Sequence, residues 1–141
     1  MSGLPPLSFR REALKGTPLD ALPFGPLTHV RDLIYYDGPL LSEYKTEQGD
    51  PVLFNWCDCD ELVNRWLILR VTPELLEGYV KGEVHQRTLL LSPVEGVVYF
   101  TDNDTDINPH NIIRCTPNNI PLDYLPDEGE EGFYDPSFAG L

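Results

Sequence analysis

Cations are scarce in this chain. Ten Lys and Arg stand against twenty-three Asp and Glu, a formal net charge of −13 and a sequence pI of about 4.4. Binding to a nucleic-acid backbone draws its energy from Lys and Arg that neutralise phosphates, so direct nucleic-acid binding is excluded as a first reading, and anionic membrane surfaces are disfavoured for the same reason. Cysteine is sparse too. Cys57, Cys59 and Cys115 are an odd set, too few for a secreted disulfide scaffold, and reduced thiols in a cytoplasmic protein are the expectation. No run approaches the roughly 20 apolar residues that cross a bilayer, and the start, with Arg10 and Arg11 after its few apolar residues, lacks the order of a signal peptide. Motifs for enzymes are also missing: there is no G-x-S-x-G, P-loop or G-x-G-x-x-G, and His29, His85 and His110 stand in no recognisable pattern with Ser or Cys. A non-enzyme without a cofactor is expected.

What is present is enough for one domain. In 141 residues, 41% are hydrophobic and 11% aromatic, which suffices for a core. Prolines cluster at both ends, and residues 101–141 carry Arg114 alone against nine anions. The expected division is a Pro-rich arm over 1–28, a single domain over 29–115 and an acidic, aromatic tail over 116–141.

Within the centre, Asp37-Gly38-Pro39 between two apolar runs predicts a hairpin, because glycine accepts positive φ and proline fixes the next φ near −65°. Val52–Cys57 and Arg65–Val71 are apolar at both alternating positions, which predicts central strands covered on both faces, or covered on one face with the other meeting a partner. Thr72-Pro73-Glu74 is the start of a helix, with a capping hydroxyl, proline at the first position and an acid in the positive first turn. Val84–Leu91 reads equally as a short helix or a strand, and Val97–Phe100 as a further strand. The fold class is α+β: a mostly antiparallel sheet with one or two short helices packed on it and extended arms at both ends.

The string Asp37-Gly38-Pro39-Leu40-Leu41, followed by Arg65-Trp66-Leu67 and by Val71-Thr72 opening a helix that ends at Lys81-Gly82-Glu83, resembles a small bacterial domain family of unknown function. The resemblance covers about residues 30–100. It implies the same order of elements and carries no reaction.

Three constellations bear on chemistry. Cys57 and Cys59, two apart in a strand, would point the same way and share a zinc ion if His110 and Cys115 completed the four ligands. Asp102, Asp104 and Asp106 imitate the first ligands of a calcium loop, but Ile107 stands at the turning glycine and Ile113 at the bidentate glutamate, so a solvated acidic loop is expected. Asp58, Asp60 and Glu61 are three carboxylates at a hairpin tip, where a hard cation or plain water would meet them. A small metal-binding or metal-dependent hydrolase domain built on these carboxylates is the alternative function.

The favoured function rests on the last segment. From Asp123 to Phe138 acidic residues alternate with aromatics, and Asp127, Glu128, Glu130 and Glu131 with the rings Phe133 and Tyr134 give charge for steering and aromatic anchors for a partner. The expectation is an acidic interaction module for a basic protein partner, such as a nucleic-acid-processing enzyme or a toxin, acting as inhibitor, antitoxin, immunity protein or complex subunit by mimicry of a nucleic-acid backbone. The apolar first arm would wrap its own domain, dock on a partner or support a homodimer.

Overall fold

The computed structural model describes residues 17–19, 22–36, 38–60, 63–103 and 112–139. They form an α+β fold built on one seven-stranded antiparallel sheet. Its strands are β1 (Thr17–Leu19), β2 (Thr28–Tyr35), β3 (Pro39–Lys45), β4 (Pro51–Asp60), β5 (Val63–Arg70), β6 (Val98–Asn103) and β7 (Ile112–Cys115). In space they run β1-β7-β6-β5-β4-β3-β2, a meander from β2 to β7 with β1 added beyond β7. Two helices, α1 (Pro73–Val80) and α2 (Gln86–Leu90), fill the connection from β5 to β6.

Local chemistry explains the punctuation. Gly38 has φ 134° in the turn between β2 and β3, and Gly49 has φ 90° between β3 and β4, a region costly for residues with a Cβ. The Thr72 hydroxyl accepts a hydrogen bond from the Leu75 amide at 3.1 Å, and Pro73 opens α1 as its sequence predicts. The ambiguous stretch after Gly82 is helical because the His85 ring caps it, Nδ1 accepting from the Arg87 amide at 2.9 Å.

Both faces of β4 and β5 are covered from within the chain, the first of the two arrangements their continuous apolar pattern allows. On one face Leu53, Leu67, Leu69 and Phe100 pack under Leu76, Tyr79, Leu89 and Leu90 of the helices. On the other, Val52, Phe54, Ile68 and Tyr99 pack against Phe24, with Leu22 and Leu27 beside it. The Phe24 ring meets Tyr99 edge to face at 5.4 Å between centroids. Residues 22–27, placed by sequence in the first arm, thus lie across the second face on the way from β1 at one sheet edge to β2 at the other.

The carboxyl-terminal segment differs from the expected tail. Ile120, Tyr124 and Leu125 are buried in the helical-face core, and four short 3₁₀ turns, Pro117–Asn119, Leu122–Tyr124, Glu130–Gly132 and Pro136–Ala139, carry the chain over that face. The last turn reaches the edge strand β2. Single-turn 3₁₀ pieces have no 3.6-residue periodicity to read, so an apolar anchor among prolines and acids looks like a tail in the sequence.

Candidate functional site

Arg65 is wholly buried in the middle of the sheet. β5 places it beside Asp102 on β6, whose carboxylate accepts from Nε at 2.7 Å and from Nη2 at 3.0 Å, while Nη1 donates to the Tyr124 hydroxyl at 2.6 Å. Burial alone would lower the guanidinium's pKa, but the Asp102 carboxylate and the Tyr124 hydroxyl together raise it above the ordinary arginine value. Asp102 is therefore not part of a solvated loop: its carboxylate is 6% exposed as a residue and holds Arg65 in a two-pronged pair. Asp104 and Asp106 lie outside the described residues.

The hairpin tip also departs from expectation. Between Trp56, paired with Trp66, and Asp58, paired with Arg65, β4 carries a bulge at Cys57. One extra residue reverses the alternation of side chains beyond it. Asp58 is accordingly buried, its Oδ1 accepting from the Cys59 amide at 2.8 Å, instead of facing water. Asp60's side chain and Glu61 lie outside the described positions. Cys57 is half-buried with its thiol donating to the Arg65 carbonyl at 3.5 Å, Cys59 is exposed, and Cys115 is buried on β7. Burial pushes the Cys115 thiol up to about 11, which keeps it protonated and a poor zinc ligand at neutral pH. His110, the other proposed completer, is not among the described residues. Among those that are, no three His, Cys, Asp or Glu converge to hold a metal ion.

A Ser, Asp and His meet where the sequence pattern gave no sign of it. Ser42 on β3 donates to Asp32 Oδ1 at 2.6 Å, and His29 Nε2 lies 2.9 Å from the same oxygen. The order is wrong for nucleophile activation, because the carboxylate stands between hydroxyl and imidazole and the ring is not the group that receives the serine proton. Burial alone would raise the Asp32 carboxyl; the Ser42 hydroxyl and the His29 ring overcome it and hold the group below the ordinary carboxylate value. This trio fastens the β2–β3 pair.

The acidic segment is a structured ridge. Asp127, Glu128, Glu130 and Glu131 are all exposed. Beneath them the His85 ring acts as a post: since Nδ1 accepts from the Arg87 amide, Nε2 carries the proton and donates to the Gly129 carbonyl at 2.8 Å. Phe133 stands edge to face against that ring at 5.0 Å and remains 39% exposed. Gly132 is buried directly on the imidazole, so closely that a Cβ there would overlap the ring. Arg87 clamps the near end, Nη1 donating to the Pro126 carbonyl at 3.0 Å, and lies 3.7 Å from the mostly exposed Glu128 carboxylate. Tyr134 turns inward, 5.3 Å from the Tyr79 ring and 6.3 Å from Phe138, so it anchors the ridge to the core while Phe133 is the ring presented outward.

No helix among the described residues is long and apolar enough to cross a membrane. Compared with known proteins, the chain matches no protein-family model, no curated protein and no solved structure.

Proposed function

We propose that this protein is a non-enzymatic interaction module that binds a basic protein, a nucleic-acid-processing enzyme or a toxin, through the ridge from Asp127 to Phe133. The observation that carries this reading is the support under the ridge: the His85 post, the buried Gly132 and the Arg87 clamp hold four exposed carboxylates and one outward ring in a fixed arrangement. A surface fixed before binding loses less conformational freedom on association. Carboxylates along an extended ridge fill sites shaped for phosphates, and the field of a chain at −13 speeds encounter with a cationic partner. Three free cysteines agree with a reducing, cytoplasmic setting.

The test begins with affinity capture from the native host, run in parallel with the wild type and with a variant carrying Asp127→Asn, Glu128→Gln, Glu130→Gln and Glu131→Gln. A partner recovered by the first and lost by the second is then measured at several ionic strengths. Neutralising the ridge is expected to slow association and flatten its salt dependence, since long-range steering is what salt screens. Phe133→Ala is expected to speed dissociation by an amount on the order of 1–3 kcal/mol. Association kinetics that are unchanged by both variants overturn the reading.

A further inference from the structure

His85 is a half-buried imidazole with both ring nitrogens in use. Nδ1 accepts from the Arg87 amide at 2.9 Å, and Nε2 donates to the Gly129 carbonyl at 2.8 Å. An amide nitrogen can only donate, so the two bonds together admit one form of the ring, the neutral tautomer protonated at Nε2. The next proton the ring takes up therefore arrives at Nδ1. There it points at the Arg87 N–H, donor against donor.

That one atom serves both fasteners of the ridge. Nδ1 caps α2, a helix of five residues that carries Arg87, and the Arg87 guanidinium holds the Pro126 carbonyl at 3.0 Å. A helix this short depends on its cap, because few internal bonds offset the loss of one. Nor can the ring turn aside in place. Gly132 lies so closely on the imidazole that a Cβ there has no room, and Phe133 stands edge to face at 5.0 Å. A ring that swings off the Arg87 amide must draw Nε2 from Gly129 or displace the turn Glu130–Gly132, and the Gly132 amide closes that turn on the same Gly129 carbonyl at 3.1 Å.

We propose that protonation of His85 is a switch for the ridge: the neutral imidazole fastens it, the imidazolium releases it, and mild acid is the signal. Charge of both signs stands on the elements around the ring. Arg87 in α2 opposes a second cation, Glu83 before the helix and Asp127, Glu128, Glu130 and Glu131 on the ridge favour one, and Glu77 and Lys81 of α1 pair with each other at 2.7 Å. These groups set where on the pH scale the change falls, and the hydrogen bonds set which nitrogen receives the proton. As a control on partner binding the switch rests on the function proposed above, with a basic partner held at neutral pH and let go in acid. The switch itself is read without a partner, so its failure and the failure of that function are separate results.

The full chain, isotope-labelled, is followed by NMR from about pH 8 to about pH 5.5, a span in which imidazoles change charge. At the upper end the His85 ring is expected to show a bare Nδ1 and a protonated Nε2. On acidification the arrival of the Nδ1 proton should coincide with a loss of about tenfold or more in the exchange protection of the Gly132 and Phe133 amides, corrected for the intrinsic pH dependence of exchange, while the amides of β4 and β5 keep theirs. In His85→Gln, whose side-chain amide can donate to Gly129 and does not titrate, protection at both positions should stay within about twofold over the same span. A variant with Glu128→Gln, Glu130→Gln and Glu131→Gln should keep the transition, displaced along the pH scale. A protonated Nδ1 at the upper end overturns the proposal, as does ring titration that leaves the Gly132 and Phe133 amides protected. A transition retained in His85→Gln, or lost in the ridge variant, assigns the change to other groups and overturns it equally.

Discussion

Arg65 and Tyr124 are 59 residues apart, yet the guanidinium Nη1 and the phenolic oxygen sit at 2.6 Å in the buried interior. This bond joins the central strand β5 to the 3₁₀ turn Leu122–Tyr124, and so ties the segment that carries the acidic ridge to the middle of the sheet. The Arg65 guanidinium carbon also lies 5.8 Å from the Tyr124 ring centroid, within cation–π range.

Removing the carboxylate of this group should be the costliest single polar change. Asp102→Ala strips the two-pronged partner from a wholly buried arginine and is expected to destabilise by about 3–5 kcal/mol. Urea denaturation measures it. A loss under about 1 kcal/mol would mean that Arg65 finds compensation elsewhere or reaches water, contrary to its burial.

Tyr124→Phe keeps the ring and removes only the hydroxyl. The expected cost is about 1–3 kcal/mol, with amide hydrogen exchange accelerated most over residues 117–139 if this bond is what fastens the segment. Uniform acceleration across the sheet would instead point to a global effect.

Stability should fall in alkali in part through Cys115. Burial pushes its thiol up to about 11, whereas the thiol of the unfolded chain ionises near 8.5, as free cysteine does. Between those values the unfolded chain releases a proton that the folded chain keeps, so the folded state loses stability as pH rises, by an amount on the order of 2–3 kcal/mol. Tyr44 and Tyr99, also raised mainly by burial, add to the loss above about pH 10. The check is the slope of unfolding free energy between pH 9 and 11, which Cys115→Ala should make shallower. An unchanged slope would place the thiol in contact with solvent.

Gly132→Ala should disturb the ridge more than the core. A methyl group there meets an imidazole already fixed by two hydrogen bonds, so the ring or the turn must shift. Faster exchange of the Phe133 amide, whose bond to the Glu130 carbonyl closes the turn, with a midpoint change under about 2 kcal/mol is the expected outcome. Undisturbed exchange would show that the ring is free to move away.

Much of the sheet was legible because its chemistry is local. Thr72-Pro73-Glu74 starts α1, Gly38-Pro39 turns β2 into β3, and the doubly apolar runs of β4 and β5 are central strands. What escaped the sequence reading depends on partners far along the chain. Arg65 in an apolar strand gives no sign that Asp102 and Tyr124 will satisfy it. Ser42 and His29 meet at Asp32 only through the β2–β3 register. The Cys57 bulge, invisible in an alternating string, turned an expected pair of aligned thiols and a water-facing Asp58 into a half-buried thiol, an exposed one and a buried carboxylate. Likewise β7, four residues after a polar, Pro-containing stretch, is a strand because β6 and β1 flank it.

The placement of β1 sets an order of events in time. Every neighbouring pair from β2 to β7 joins strands consecutive in sequence, so those pairings can grow in order as the chain lengthens, with short loops from β2 to β5 closing at low entropic cost and the two helices bridging β5 to β6. β1 is different: Pro18 pairs with Ile113, far along the chain. Of the described strands, the one synthesised first is therefore among the last to find its place. Until β7 exists, the outer edge of β6 has no partner, and residues 22–27 have no β1 anchor from which to cross the second face. Until then an apolar sheet face and a sheet edge stay uncovered, the condition under which chains associate wrongly or engage chaperones.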